Sequence, residues 1–238
     1  MIWRKLKSSR TLALVAIFAA FNVITDSFGG LPTSGVWFSW SFMMTPLTGI
    51  ILGPFFAFSA ASVGVMIGHY LYFIDVFEFL FTFGAPVGAM VSALLYRGKW
   101  QAVLVLYLSL FAAYFATPVA WQLPIWGLWD TYVALAVLLV AIFLIRRGYW
   151  KHEPKRLTII LLAAAFVGLE ADILFRVFLL IPLQTYRFFY GLDPASLQAV
   201  WFAGAALTPL KAIMSSLATL LVGLPLVKTL KKAGFLID

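Results

Sequence analysis

The sequence has no cysteine and only two histidines among its 238 residues. The absence of cysteine excludes disulfide bonds, thiolate metal sites and cysteine nucleophiles. The histidines, His69 and His152, are far apart in the chain, so we predict neither a two-histidine metal site nor a histidine-centred acyl-transfer site. No Walker-type phosphate-binding loop is present. We therefore expect no resident cofactor or metal and no enzymatic activity.

Charge is also scarce in this sequence. Only 11% of the residues are charged, 63% are hydrophobic, and the mean hydropathy is +1.01. A water-soluble domain could not cover such a composition with polar surface. A spanning helix needs about 20 apolar residues to cross the hydrocarbon, so this length allows about six to eight crossings and no soluble catalytic domain. We predict an all-α, polytopic bundle of transmembrane helices that forms one integral domain over residues 1–238 in the lipid bilayer.

Glycine, proline and charged residues divide the apolar sequence into runs. The second and third runs are separated only by Gly53 and Pro54, a helix-stop pair that suits a tight turn. We therefore predict about eight spans, which are residues 11–27, 38–53, 55–73, 77–96, 100–118, 130–145, 157–182 and 198–227.

Basic residues are distributed unevenly between the ends of these runs. With the N-terminus inside, fourteen of the seventeen Lys and Arg residues fall in inner segments, and only Arg187 falls in an outer loop. Since Lys and Arg collect in cytoplasmic loops, we predict that both termini are cytoplasmic and that the protein spans the cell membrane. The net charge of +8 is spread between apolar runs and forms no continuous face, so we expect no nucleic-acid partner.

The predicted outer segments carry acidic residues and tryptophans. The tryptophans fit an aromatic belt at the membrane surface, although a stacking lid over a bound solute remains an alternative. These residues are Asp26, Asp75, Glu78, Asp130 and Asp193, with Trp37, Trp40, Trp121, Trp126 and Trp129.

Four ionisable residues, Glu170, Asp172, Arg176 and Lys211, lie inside the last two apolar runs. Each ionised group in hydrocarbon costs a few kcal/mol or more unless it is paired or wetted, so such residues are candidates for a solute-binding site. Asp172 and Arg176 are four residues apart and can pair on one helix face, whereas Glu170 points elsewhere. Lys211 needs a carboxylate, and Glu170 is the favoured partner. A structural ion pair is the alternative to a solute-binding role.

Small residues recur in three segments of the chain. Residues 47–58 contain the Gly53-Pro54 pair and run on to Gly64 and Gly68. In the first run, Ala13, Ala16 and Ala20 lie on one helical stripe, and the last run ends in residues 210–228 with a basic tail. Together these segments resemble the substrate-binding S components of energy-coupling factor (ECF) transporters.

The resemblance covers roughly the first 100 and the last 40 residues. That family has six helices, so residues 100–146 stand out as an inserted hairpin on a six-helix core. His69 is a second departure, because an acidic residue often follows the glycines of the third helix in that family.

The resemblance also implies a function. A small, vitamin-like solute would bind from the outer side, near the loop at residues 28–37, to Glu170, Asp172, Arg176 and Lys211. The stripe of Ala13, Ala16 and Ala20 would dock on a transmembrane coupling subunit, and ATPase subunits would supply energy in trans. The alternatives are an accessory subunit of a larger membrane complex and, less favoured, an intramembrane enzyme that uses Glu170 or Asp172 as acid or base.

Overall fold

The computed structural model describes residues 9–28, 31–33, 36–71, 76, 78–150 and 153–234, with the side chains of residues 31–38, 154 and 155 outside that description. Within these ranges the chain is almost entirely helical. Some residues named above therefore lie outside the described part, namely Asp75, His152, the side chain of Trp37 and the basic residues at positions 4–7 and 151.

The described residues form eleven α-helices and one short β-hairpin. The helices are α1 (Ser9–Ser27), α2 (Ser41–Leu52), α3 (Pro54–Leu71), α4 (Glu78–Thr82), α5 (Gly84–Tyr96), α6 (Trp100–Ala116), α7 (Trp129–Arg146), α8 (Pro154–Leu180), α9 (Thr185–Phe188), α10 (Pro194–Ala218) and α11 (Leu224–Lys232). Strands β1 (Leu31–Thr33) and β2 (Val36–Phe38) pair antiparallel between α1 and α2, where the sequence predicts a loop. Two 3₁₀ turns, Pro118–Gln122 and Ile125–Leu128, connect α6 to α7.

The boundary between α2 and α3 confirms the predicted tight turn. Gly53 has a φ of 86°, a left-handed value that glycine adopts without steric cost, and it separates Leu52 from Pro54. Pro54 begins the next helix at once, because a first-turn residue needs no amide hydrogen for the helical ladder.

Six helical segments among the described residues are long and apolar enough to cross a membrane. They are Ser9–Ser27, Pro54–Leu71, Glu78–Tyr96, Ile125–Arg146, Arg156–Leu180 and Pro194–Lys232. Two further apolar helices are shorter, because α2 has 12 residues and α6 has 17. At 1.5 Å per residue, α2 is only about 18 Å long. The prediction of a helical chain with apolar helices long enough to cross a membrane is therefore confirmed, whereas the count of eight spans and the cytoplasmic termini stay predictions.

The long helices alternate in direction along the chain. Asp26 near the end of α1 meets Gly68 near the end of α3, and Gly84 at the start of α5 meets Asp172 in the second half of α8. Trp129 at the start of α7 donates to the carbonyl of Ala205 in the first half of α10 (3.0 Å). The ends of α1, α3, α6 and α8 thus share one level with the starts of α2, α5, α7 and α10. We call this level the acidic end.

Basic residues gather at the opposite level, which we call the basic end. There the indole of Trp150 donates to the carbonyl of Leu95 (3.0 Å), which ties the start of the α7–α8 loop to the end of α5. The described basic residues at the basic end are Arg10, Arg97, Lys99, Arg146, Arg147, Arg156, Lys228, Lys231 and Lys232. The acidic and basic segments that alternate along the sequence therefore lie at opposite ends of the helix bundle.

Helix α8 lies at the centre of the bundle, and its closest neighbour is α5. A Cβ atom placed on Gly88 would lie 2.8 Å from the carbonyl oxygen of Gly168, so the two backbones touch directly. Helices α6 and α7 pack on another side of α8, where the hydroxyl of Tyr107 donates to the carbonyl of Val167 (2.6 Å). Small residues permit such close helix contacts in lipid, where association depends on packing and interhelical hydrogen bonds.

We expect Gly88→Ala to lower the free energy of unfolding by about 1–3 kcal/mol, because the added methyl group meets an unyielding backbone carbonyl. Gly204→Ala is the matched control, since nothing lies within 4 Å of a Cβ atom at that helical position. Its effect should be neutral or stabilising by up to ~1 kcal/mol, through helix propensity. Unfolding of the two purified variants in the same detergent measures the difference. Equal stabilities would contradict the proposed α5–α8 contact.

Candidate functional site

A cavity of about 250 Å³ lies between the helices at the acidic end. At roughly 30 Å³ per molecule, this volume corresponds to about eight waters, which is room for a small solute. Helices α1, α2, α3, α4, α5, α7, α8 and α10 all contribute to its wall. Seven of the described lining residues are ionisable, namely Asp26, His69, Glu78, Asp130, Asp172, Arg176 and Lys211.

The pair formed by Asp172 and Arg176 lies on the cavity wall provided by α8. The Nε atom of Arg176 donates to the Oδ1 atom of Asp172 at 2.6 Å, so the pairing predicted from their four-residue spacing is confirmed. Gly84 of α5 makes space for this pair, because a Cβ atom there would overlap the same carboxylate oxygen. The Asp172 side chain is buried, but 41% of the Arg176 side chain is exposed. The outer nitrogens of the guanidinium have no hydrogen bond to a described residue and can receive an anionic group.

A second group joins three helices around His69. Its Nδ1 atom lies 2.9 Å from Oδ2 of Asp26, and its Nε2 atom lies 3.9 Å from Oε1 of Glu78. Gly68 allows α1 to approach, since a Cβ atom at that position would lie 2.6 Å from Asp26. The imidazole thus links the end of α1 to the start of α4. In the part of the chain that the structure describes, no group of three His, Asp or Glu side chains could hold a metal ion.

Asp130 lines the cavity from α7 and is only 1% exposed. Its Oδ2 atom accepts a hydrogen bond from the hydroxyl of Thr208, and its Oδ1 atom accepts one from the backbone amide of Thr131 (2.9 Å). Both donors are neutral. No described residue forms an ion pair with this carboxylate.

Trp201 of α10 lines the same wall as Asp130. Its ring stacks parallel on Tyr114, with 5.7 Å between the ring centroids. Its indole N–H donates to the carbonyl of Pro124 at 3.0 Å. Gly127 gives the indole its space, because a Cβ atom there would overlap the ring nitrogen. These contacts hold the aromatic ring in one position at the edge of the cavity.

Lys211 lines the cavity from α10, one turn beyond Thr208. It lies within electrostatic range of Asp172 and Arg176 on α8. The predicted pair between Lys211 and Glu170 does not form. Glu170 is fully buried outside the cavity lining, and neither of its carboxylate oxygens has a hydrogen-bond partner among the described residues.

The position of Glu170 follows from helix geometry. At 100° per residue, Glu170 is turned about 160° from Asp172, so only one of the two can face the cavity. Glu170 instead lies within electrostatic range of Tyr107, on the side of α8 that meets α6. Of the four predicted solute-binding residues, the structure therefore brings Asp172, Arg176 and Lys211 together and leaves Glu170 outside.

Several residues of the cavity wall were not predicted from the sequence. Asp26, Glu78 and Asp130 belong to predicted outer segments without a common site, and His69 is a departure from a family pattern for which no metal or acyl-transfer role is predicted. One pattern in the sequence does indicate that these four residues lie close together: each stands near the end of an apolar run, and successive runs alternate in direction. Such ends converge at one level of a bundle.

The alanine stripe of α1 lies away from the cavity. Ala13, Ala16 and Ala20 are exposed, whereas Phe18 and Asn22 face the bundle interior. The opposite face of α1 packs on α3, where Gly64 allows close approach to Asn22. The stripe is thus on the outside of the described part of the protein.

No protein-family model, curated protein or solved structure matches this chain. The resemblance to S components therefore stays a prediction. What supports a function is the cavity and the side chains that line it.

We expect Glu170→Met to leave the free energy of unfolding unchanged or to raise it, because removal of a buried group without hydrogen bonds costs little. Asp172→Asn should lower this free energy by about 1–2 kcal/mol, since it removes a charge-assisted hydrogen bond to the partly exposed Arg176. Unfolding of both variants in one detergent provides the measurement. A larger loss for Glu170→Met than for Asp172→Asn would show that Glu170 has a partner.

Proposed function

We propose that this protein binds a small solute inside the membrane and acts as the substrate-binding subunit of an ECF-type importer. The observation that carries this proposal is the cavity of about 250 Å³, with Asp172, Arg176 and Lys211 on its wall. Charged side chains around an open volume in an apolar bundle are typical of solute pathways. The exposed part of Arg176 supports a role beyond its bond to Asp172.

The proposed topology has eight crossings with both termini in the cytoplasm. Basic residues favour the cytoplasmic side, so the basic end would face the cytoplasm. The cavity at the acidic end would then open to the outside, where an importer captures its solute. The alternating directions of the long helices support this arrangement.

The exposed stripe of Ala13, Ala16 and Ala20 is the proposed docking face for a transmembrane coupling subunit. A smooth surface of small residues lets a partner helix approach closely and slide. ATPase subunits in trans would supply the energy for solute release into the cytoplasm.

An accessory subunit of a larger membrane complex is the second candidate. The contacts of Asp172 with Arg176 and of Asp26 with His69 favour it, because internal pairs can be purely structural. An accessory role does not account for the volume that these side chains surround. The intramembrane enzyme is less supported, because Glu170 does not line the cavity and Asp172 is already paired with Arg176.

We expect Lys211→Met to lower the amount of solute that copurifies with the protein about tenfold or more, because a charge-assisted contact contributes about 1.5–3 kcal/mol. Native mass spectrometry after gentle detergent extraction measures the retained molecule. Lys228→Met is the matched control, since Lys228 is exposed at the basic end and should not affect retention. Equal retention in both variants, or an empty wild-type protein, would favour the accessory role.

We expect Ala16→Leu combined with Ala20→Leu to abolish copurification of an ATPase-containing module while solute retention is unchanged. The larger side chains would keep the partner helix from close approach. Ala112→Leu with Ala136→Leu is the control, because these alanines are exposed on α6 and α7. ATPase activity in the purified complex is the readout. Full activity in the α1 variant would exclude the stripe as the docking face.

A further inference from the structure

We propose further that the solute carries a positively charged amino group and that Asp130 receives this group. The inference rests on the proposed function, because it needs the cavity to hold a solute. It adds the chemical class of that solute and the side chain that recognises it. Asp130 was not among the solute-binding residues predicted from the sequence.

The carboxylate of Asp130 is buried without a cation beside it among the described residues. This carboxylate is 1% exposed and faces the cavity, and its hydrogen bonds come from the Thr208 hydroxyl and the Thr131 backbone amide. Two neutral donors orient a carboxylate but do not balance its charge. A carboxylate inside a membrane bundle is stabilised by a cation, and an ammonium group in the adjacent volume provides one.

The described side chains around the whole cavity carry an excess of negative charge. The described lining residues include four carboxylates, which belong to Asp26, Glu78, Asp130 and Asp172. The fixed cations among them are Arg176 and Lys211, and His69 adds at most one more positive charge. Negative charge therefore exceeds positive charge by one or two. A cationic solute reduces this excess, whereas a solute that is only anionic increases it.

The two cations of the described cavity wall interact with carboxylates other than Asp130. Arg176 lies within electrostatic range of Asp172, Asp26 and Glu78, and Lys211 lies within range of Asp172 and Arg176. Both cations, Arg176 and Lys211, thus interact with carboxylates that lie on α1, α4 or α8. Asp130, on α7, forms no ion pair with either cation, although Lys211 lies only one turn beyond Thr208 on α10.

An aromatic side chain of the same cavity also suits an ammonium ion. Trp201 lines the cavity on the same wall and is held in place by Tyr114 and by the carbonyl of Pro124. Tryptophan is the side chain whose ring attracts cations most strongly. A cavity lined by both a buried carboxylate and a fixed indole is therefore a suitable receptor for a small organic amine.

Three probes that share one skeleton test this inference on the purified full-length chain. They are 3-phenylpropylamine, 3-phenylpropan-1-ol and 3-phenylpropionate, which differ in the charge of their end group. We expect isothermal titration calorimetry to give at least tenfold tighter binding of the amine than of the alcohol or the acid. Asp130→Asn should raise the dissociation constant of the amine at least tenfold.

Asp193→Asn is the matched control for the loss of a carboxylate. Asp193 is exposed at the start of α10, and the hydrogen bond from the backbone amide of Ser196 keeps its pKa below the ordinary value. The variant thus loses a negative charge outside the cavity. Asparagine also caps a helix well, so we expect amine binding within twofold of the wild type.

A second pair of variants keeps Asp130 in place, in case Asp130→Asn does not fold. Gly204 lines the cavity one turn before Thr208, and nothing lies within 4 Å of a Cβ atom there. Gly204→Lys would tether an ammonium group near Asp130, and Gly204→Met adds a side chain of similar length without charge. We expect Gly204→Lys to weaken amine binding at least tenfold relative to Gly204→Met.

Several results would overturn the inference. They are equal amine binding by the wild type and Asp130→Asn, equal effects of Gly204→Lys and Gly204→Met, tighter binding of the acid than of the amine, and no binding of any probe. The proposed function fails separately, through a wild-type protein that carries no solute in native mass spectrometry. A retained solute without an amino group would thus contradict the inference about Asp130 but would still support the proposed function.

Discussion

Ionised side chains in the hydrocarbon region must be paired, hydrogen-bonded or wetted, because each one otherwise costs several kcal/mol. This constraint accounts for the arrangement at the acidic end. Asp172 lies against Arg176, Asp26 lies against His69, and Asp130 holds the hydroxyl of Thr208. These three carboxylates and their partners line one volume. The solute-binding proposal depends on that grouping.

Close backbone contacts make this grouping possible. Gly68 brings α1 next to α3 at Asp26, and Gly84 brings α5 next to α8 at Asp172. A larger side chain at either glycine would occupy the space of a carboxylate. The small residues of this bundle therefore serve more than helix packing, since two of them also give room to charged groups on the cavity wall. The glycines are thus part of the site although they contribute no functional group.

Much of the fold could be predicted from the sequence, because it depends on local patterns. Runs of apolar residues predict the helices, Gly53 and Pro54 predict a turn, and the spacing of Asp172 and Arg176 predicts their pair. The lengths of the helices were predicted less well. Helix α2 has only 12 residues, because the preceding residues 36–38 form strand β2 instead of extending the helix.

The candidate site was predicted only in part, because its remaining contacts are long-range. His69 and Asp26 are separated by 43 residues and Thr208 and Asp130 by 78, so only the packing of the helices reveals these pairs. The expected partner of Lys211 was wrong for a similar reason. Similar depth in the membrane suggested Glu170, but the rotation of α8 turns Glu170 away from the cavity that Lys211 lines.

The π-helical turn at Thr219–Gly223 determines how the chain leaves the bundle. A π turn holds one residue more than an α turn, so each later side chain is rotated by about 100° relative to an uninterrupted α-helix. With this offset, Val227 is buried and Lys228 is exposed. In a helix without the extra residue, Lys228 would occupy the angular position of Val227 and direct its ammonium group at the hydrophobic interior. The additional residue in the π turn thus sets the rotation of α11 about its own axis, so that Lys228 faces outward.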